Sequence, residues 1–390
     1  MPTLYDVAHF CSWNGYTEDM RSYLGVDTAS WTNREFWSPH GANILYGPNK
    51  KSRIQIICEH GSYCDFQIQR IRQLIADGAK PDIKDANGCT ALLVCARNGG
   101  PNNLNIIKVL LDAGADVNQA NVTYNYTPLI YSANKGHIEI VRELIRRGVD
   151  VRFMNKGGRA AIEYAAESGH IDVVKELLAA GAVINPQIFC SVIKSGNIAM
   201  LKYLVRIARP AEDSVWNAVY YKQANMIRVL ANAGADMNFN YPTHLAIQED
   251  DNKCLIEMCS NGANLSLLDR ANDSPIRQAI LMGNHEAIRI LASYKANINE
   301  VTDARPTPLI HYAIDMYKSF PYGRRKECIF AIIEAGLNFN ILDTHGNTPA
   351  QHALKKGMTG LATLINRAKI MKRFEFKEFL LQEKDMYFLR

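Results

Sequence analysis

The sequence predicts an all-α solenoid, a linear stack of short helical pairs, and three observations carry that prediction. A phrase at 136–151, GHIEIVRELIRRGVDV, returns at 169–184 as GHIDVVKELLAAGAVI. Its apolar residues recur at three- and four-residue steps, the period of a helix with one buried face. Glycine and proline punctuate the pattern where such helices stop and start.

One unit, NYTPLIYSANKGHIEIVRELIRRGVDV, shows the logic. Leu129, Ile130 and Ala133 fit a first short helix, and Ile138, Val141, Leu144 and Ile145 fit a second. Thr127 is placed to cap the first helix, with Pro128 at the position whose missing N–H costs nothing. Gly136 separates the two helices and Gly148 ends the second, where left-handed backbone favours glycine. Neither helix is long enough to bury its stripe alone, so stability requires stacking on similar units.

The second-helix ending recurs at Gly78, Gly114, Gly148, Gly181, Gly234, Gly262, Lys295 and Gly336, for example as LDAGADVN and ANAGADMN. Matching first-helix starts are CTALL at 89, YTPLI at 126, DSPIR at 273, PTPLI at 306 and NTPAQ at 347. With these linked motifs, residues 53 to 367 resemble the ankyrin-repeat family, whose unit of about 33 residues pairs a T-P-L-H-like start with a G-A-D-V-N-like ending. The resemblance implies helix-turn-helix units joined by β-hairpin or loop fingers, about ten in all.

The units divide the chain unevenly. Residues 1–52 read as a divergent amino-terminal unit followed by an aromatic insert over 25–52, and 53–185 as repeats close to pattern. Over 186–266 the units shorten and the residues between helices dwindle, which predicts reduced fingers. Residues 267–367 return to pattern, and 368–390 read as an amphipathic carboxy-terminal helix that caps the last repeat, as arrays require.

Composition excludes several function classes. The 390 residues are 47% hydrophobic and carry a formal charge of +5 with both signs mixed, which argues against nucleic acid as the partner. No basic n-region, apolar leader or spanning-length apolar run appears, so a soluble, cytoplasmic, monomeric protein is expected. Nine cysteines, mostly inside helical patterns, fit a reducing compartment.

Candidate chemistry is thin, and neither an enzyme nor a cofactor is expected. Cys58, His60 and Cys64 in CEHGSYC lack the fourth ligand and paired spacing of a zinc site. No G-x-S-x-G elbow or phosphate-binding loop occurs, and GPNKKS at 47 does not supply one. His137 and His170 sit in the helix-to-helix turn and read as turn-stabilising. The glycosylation triplets at Asn121 and Asn125 read as hairpin-tip residues. Basic residues with Phe374, Phe376 and Phe379 near the carboxy terminus read as the solvated face of the cap rather than a membrane anchor.

The resemblance implies a groove formed by fingers and first helices that recognises another protein. It places Tyr124, Tyr126, Arg152, Phe153, Lys156 and Arg159 on two successive fingers, with Val94, Tyr131 and Tyr164 on the first helices beside them. Tyr131 and Tyr164 either fill the seam between repeats or form an accessible ladder. Trp31 and Trp37 in the insert either seal the amino-terminal face or anchor the partner. The resulting reading is a non-enzymatic scaffold or adaptor. The alternative is a pathogen-type effector or ubiquitin-ligase adaptor whose insert or terminal helix adds a targeting or catalytic function, although 368–390 holds no clear ligase-binding box.

Overall fold

A short ending such as G-A-D-V-N is useful only if its polar atoms have partners, and the partners lie in the neighbouring repeat. In a computed structural model of the chain, which describes residues 43, 45, 49–60, 65–320 and 325–371, Asp116 Oδ1 accepts from the Asn118 backbone N–H two residues on, at 2.9 Å. Asn118 Oδ1 then accepts from the Asp150 N–H of the next repeat at 2.8 Å. The same step links Asp82 to Asp116, Asn238 to Asn264 and Asn299 to Asn338. Each bond satisfies a donor that helix ends and turns leave unpaired.

Among the described residues the regular structure is helical. The helices are α1 (Arg53–His60), α2 (Asp65–Ala76), α3 (Ala91–Asn98), α4 (Gly100–Asp112), α5 (Pro128–Lys135), α6 (Ile138–Arg146), α7 (Ala161–Glu167), α8 (Ile171–Ala179), α9 (Gln187–Ser195) and α10 (Ile198–Ile207). They continue as α11 (Ser214–Tyr220), α12 (Ala224–Asn232), α13 (Pro242–Gln248), α14 (Asn252–Ser260) and α15 (Pro275–Met282). The last are α16 (His285–Ser293), α17 (Leu309–Ser319), α18 (Arg325–Glu334), α19 (Pro349–Lys355) and α20 (Thr359–Ile370). The chain forms two compact units, 1–200 and 201–390, divided within α10.

In the first unit, α1, α3, α5, α7 and α9 stack in sequence, with α2, α4, α6 and α8 as a second row. Leu92, Leu129, Ile162 and Ile188 from the first row are almost wholly removed from water, as are Leu110, Leu144 and Leu177 from the second. Each such side chain contributes on the order of 2 kcal/mol through burial. In the second unit, α11, α13, α15, α17 and α19 form one row and α12, α14, α16 and α18 the other, with α20 packed on α19.

The turns between helices explain why glycine precedes histidine. Gly136 ends α5 in left-handed backbone, φ 75°, and Thr127 caps the start through its hydroxyl. A Cβ on Gly136 would lie 2.5 Å from the His170 ring, and one on Gly99 would lie 2.1 Å from the His137 ring. Those rings reach back to the preceding repeat, His137 Nε2 to the Arg97 carbonyl and His170 Nε2 to the Asn134 carbonyl. Glycine thus makes room for a histidine that comes from the next unit.

The fingers are turns more than strands, with an isolated bridge joining Met154 and Ala160. Their tips close on one acceptor: Asp85, Asp269 and Asp343 each take backbone N–H groups two and four residues ahead. The connections 77–90, 113–127 and 147–160, and again 261–274, 294–308 and 335–348, are long enough for such fingers. Those at 180–186, 208–213 and 233–241 are much shorter.

Asn43, inside the segment read as an insert, makes the repeating contact. Its Oδ1 accepts from Lys80 N–H at 2.8 Å and its Nδ2 donates to the Gly78 carbonyl. Trp31, Trp37 and the rest of 1–42 lie outside the described residues, as do 372–390 of the expected cap.

The last two repeats are joined by a polar cluster. His352 Nδ1 faces Asp343 Oδ2 at 2.9 Å and its Nε2 faces Asp315 Oδ1 at 3.0 Å, while Lys356 Nζ lies 2.6 Å from Asp315. Burial raises the Asp343 carboxyl, but bonds from Asn347, His352 and the His345 N–H outweigh it and hold that carboxyl well below the usual range. Asp315 is likewise raised by burial and lowered further by Lys356 and His352.

Two outcomes follow from this geometry. Gly136→Ala, which forces left-handed alanine against the His170 ring, should destabilise the first unit by about 2–4 kcal/mol in chemical denaturation. Both carboxyls titrate lower folded than unfolded, so their stabilisation is present above about pH 4 and fades as pH falls below it. Thermal melts from pH 7 down to pH 3 should show Asp343→Asn less stable at neutral pH but with a shallower acid decline.

Candidate functional site

The two fingers that the sequence singles out are built on a pair of asparagines. Asn121 is buried, and its Oδ1 accepts from the backbone N–H groups of Tyr124 at 3.3 Å and Tyr126 at 2.8 Å. One repeat on, Asn155 Oδ1 accepts from Gly157 at 2.9 Å and Arg159 at 3.0 Å. Each asparagine spends its Nδ2 on a first-helix tyrosine: Asn121 donates to Tyr131 Oη at 3.2 Å, and Asn155 to Tyr164 Oη at 2.7 Å. The finger and the helix beside it are therefore fixed by the same side chain.

Tyr126 sits at the centre of the cluster. Its ring centroid lies 5.5 Å from that of Tyr124, 5.4 Å from Tyr131 and 5.3 Å from Tyr164, the last two edge-on as the ring quadrupoles favour. Tyr126 Oη and Tyr164 Oη share a hydrogen bond at 3.0 Å across the repeat boundary. Burial, followed by the Tyr164 hydroxyl, pushes the Tyr126 phenol up to about 12. Burial raises Tyr131 too, so both phenols stay neutral and act as hydrogen-bonding groups.

The cationic candidates are held by the chain itself. Arg159 lies over the Tyr164 ring at 4.2 Å and pairs with Glu167 at 2.5 Å and with buried Glu163 at 3.5 Å. Arg152 Nε donates to the Gly181 carbonyl at 2.9 Å, standing where other repeats place their linking asparagine. Lys156 ties one fingertip to the other, through its N–H to the Tyr124 carbonyl at 3.3 Å and its Nζ to the Val122 and Thr123 carbonyls.

The outward surface differs from the residue set read from sequence. Tyr164 is 8% exposed and Val94 is buried, while Tyr126, Tyr131 and Phe153 are half-buried. Tyr124 is 60% exposed, flanked by Val122 at 63% and Met154 at 56%. Val122 and Met154 were not among the candidates, because a fingertip reads as a polar turn. Buried Asn121 is occupied in holding its finger, so its glycosylation triplet is a feature of the turn.

Cys58 is buried, and Cys64 and the His60 side chain lie outside the described residues. The cysteines described are free, and burial raises the thiols of Cys254, Cys259 and Cys328. Among the described residues, no group of three or more His, Cys, Asp or Glu side chains is placed to hold a metal ion, and no helix is long and apolar enough to cross a membrane.

A family model described as ankyrin repeats matches residues 8–121 and 120–188. The chain carries ankyrin repeats. Ankyrin repeat protein nuc-2 of Neurospora crassa is 30% identical over 103 residues, 26% of this chain and 9% of its own length. The ankyrin repeat and KH domain-containing protein mask-1 of Caenorhabditis elegans is 30% identical over 148 residues, 36% of this chain and 6% of its own. The chain thus spans under a tenth of either relative. The solved human ASB11 ankyrin repeat domain aligns at 20% identity and TM-score 0.43 over 48% of this chain and 90% of that one. Ankyrin repeats are protein–protein interaction modules.

The tyrosine hydroxyl pair offers a direct check. Tyr164→Phe leaves Asn155 Nδ2 without its acceptor and should cost about 1–2 kcal/mol in urea denaturation. Tyr126→Phe should cost less, and the double variant should cost less than the sum, because one hydroxyl–hydroxyl bond is counted in both single changes.

Proposed function

We propose that this ankyrin-repeat chain is a non-enzymatic scaffold or adaptor that docks a partner protein on the finger surface between residues 121 and 164. The observation that carries the reading is the row of Val122, Tyr124 and Met154, exposed apolar side chains on turns fastened by Asn121 and Asn155. Exposed aromatic and thioether groups on a rigid base lose little freedom when a partner covers them, which concentrates binding energy there. Arg152, Phe153, Lys156 and Arg159 shape and rim this surface, and half-buried Tyr126 and Tyr131 with buried Tyr164 form its floor.

Mixed surface charge supports a protein as the partner rather than nucleic acid or a membrane. The free cysteines support a reducing compartment such as the cytoplasm. Trp31 and Trp37 are retained as further candidate anchors from the amino-terminal segment.

Proximity labelling with the full chain supplies partners, and each is then titrated against purified wild type and Tyr124→Ala/Met154→Ser. Affinity should fall at least about tenfold, the loss of one strong anchor, with the melting temperature unchanged. Equal affinity for every partner recovered would remove this surface from the binding role.

A further inference from the structure

The three short connections lead into the first helices α9, α11 and α13, and α11 carries Trp216, the tryptophan within the described residues. The connection 208–213 leads directly into α11. Trp216 is half-buried and its ring is stacked on that of Tyr220 at 5.1 Å and 12°, while Tyr221 meets Tyr220 edge-on at 5.1 Å. Tyr220 is 53% exposed. Residues 213, 216, 217 and 220 fall on one stripe of a helix. The exposed Tyr220 ring, backed by half-buried Trp216, is a flat aromatic face that a partner can cover.

On this stripe the Tyr220 ring and hydroxyl face water, while Asn217 Nδ2 is buried without a hydrogen-bond partner. At the head of the stripe, Glu212 and Asp213 are exposed and form no ion pair there, and Asp213 does not use its side chain to cap α11. At the far end Lys222 is engaged by Glu249 at 3.7 Å. Arg209, also exposed, precedes the helix and lies off the stripe.

We infer that α11 is a docking platform for a proline-rich segment of a partner protein in polyproline II conformation, with a Lys or Arg set against Glu212 and Asp213. Proline presents carbonyl acceptors within reach of the exposed Tyr220 hydroxyl. Its ring packs flat on Trp and Tyr faces, and its conformation is set before binding, which limits the entropy lost. The acidic pair selects the sign of the flanking charge. From Asp213 to Tyr220 the helix advances about 10 Å, which polyproline II covers in three or four residues at about 3.1 Å each. The segment therefore carries its basic residue three or four positions from a proline.

The full chain is titrated by isothermal calorimetry with a synthetic ten-residue peptide of prolines and leucines bearing one Arg at that spacing. Saturable binding in the micromolar range is expected, weakened at least tenfold by Tyr220→Ala and by Glu212→Lys/Asp213→Lys, and restored in the latter by exchanging the peptide Arg for Glu. Circular dichroism melts confirm that both variants fold. Absence of binding, binding indifferent to either variant, or equal binding of a Gly/Ser peptide with the same Arg would each overturn the inference. Preference for an amphipathic helical peptide would overturn it in favour of a helix-binding face.

Discussion

A carboxamide or carboxylate oxygen that accepts a backbone N–H from the next repeat is the contact on which the array depends. Helical pairs this short leave unpaired donors at every turn, and water would satisfy them as well as protein if the neighbour were absent. With Asn118 reaching Asp150 and Asn299 reaching Asn338, the polar edge is satisfied in the same register that buries the apolar rows. Hydrophobic stacking alone would tolerate sliding; the directional bonds fix the spacing. Gly136 and His170 do the same at the opposite corner, since the ring fits only where no Cβ stands.

Function is grafted on this frame at places where the frame's own requirements relax. The tyrosine fingers are held by Asn121 and Asn155, and their tips leave the Val122, Tyr124 and Met154 side chains exposed. Around α11 the opposite holds: the shortened connection removes the finger and uncovers an aromatic pair. One surface is presented by an added element and the other by a missing one.

Local chemistry was legible in the sequence where it acts within a few residues. The Thr127 cap, Pro128 and the left-handed Gly136 are all where the helical period put them. Contacts between repeats were not legible, because the partner of Asn43 lies at Lys80 and that of His137 at Arg97. The role of the tyrosines was open for the same reason: Tyr164 is made a seam residue by Tyr126 and Asn155, both outside its own helix. Trp216 was passed over because its unit reads as eroded, and erosion of a finger is visible as short spacing whereas the face it uncovers is not.

Since the contacts run from each repeat to its immediate neighbours, ordering of the chain during synthesis needs no distant segment to arrive first. A pair of well-matched units emerging from the ribosome can nucleate, and each later unit adds to a finished edge. The stretches with abbreviated connections add fewer bonds per step, so they are where such zipping should hesitate and where a waiting chain would be most open to chaperones.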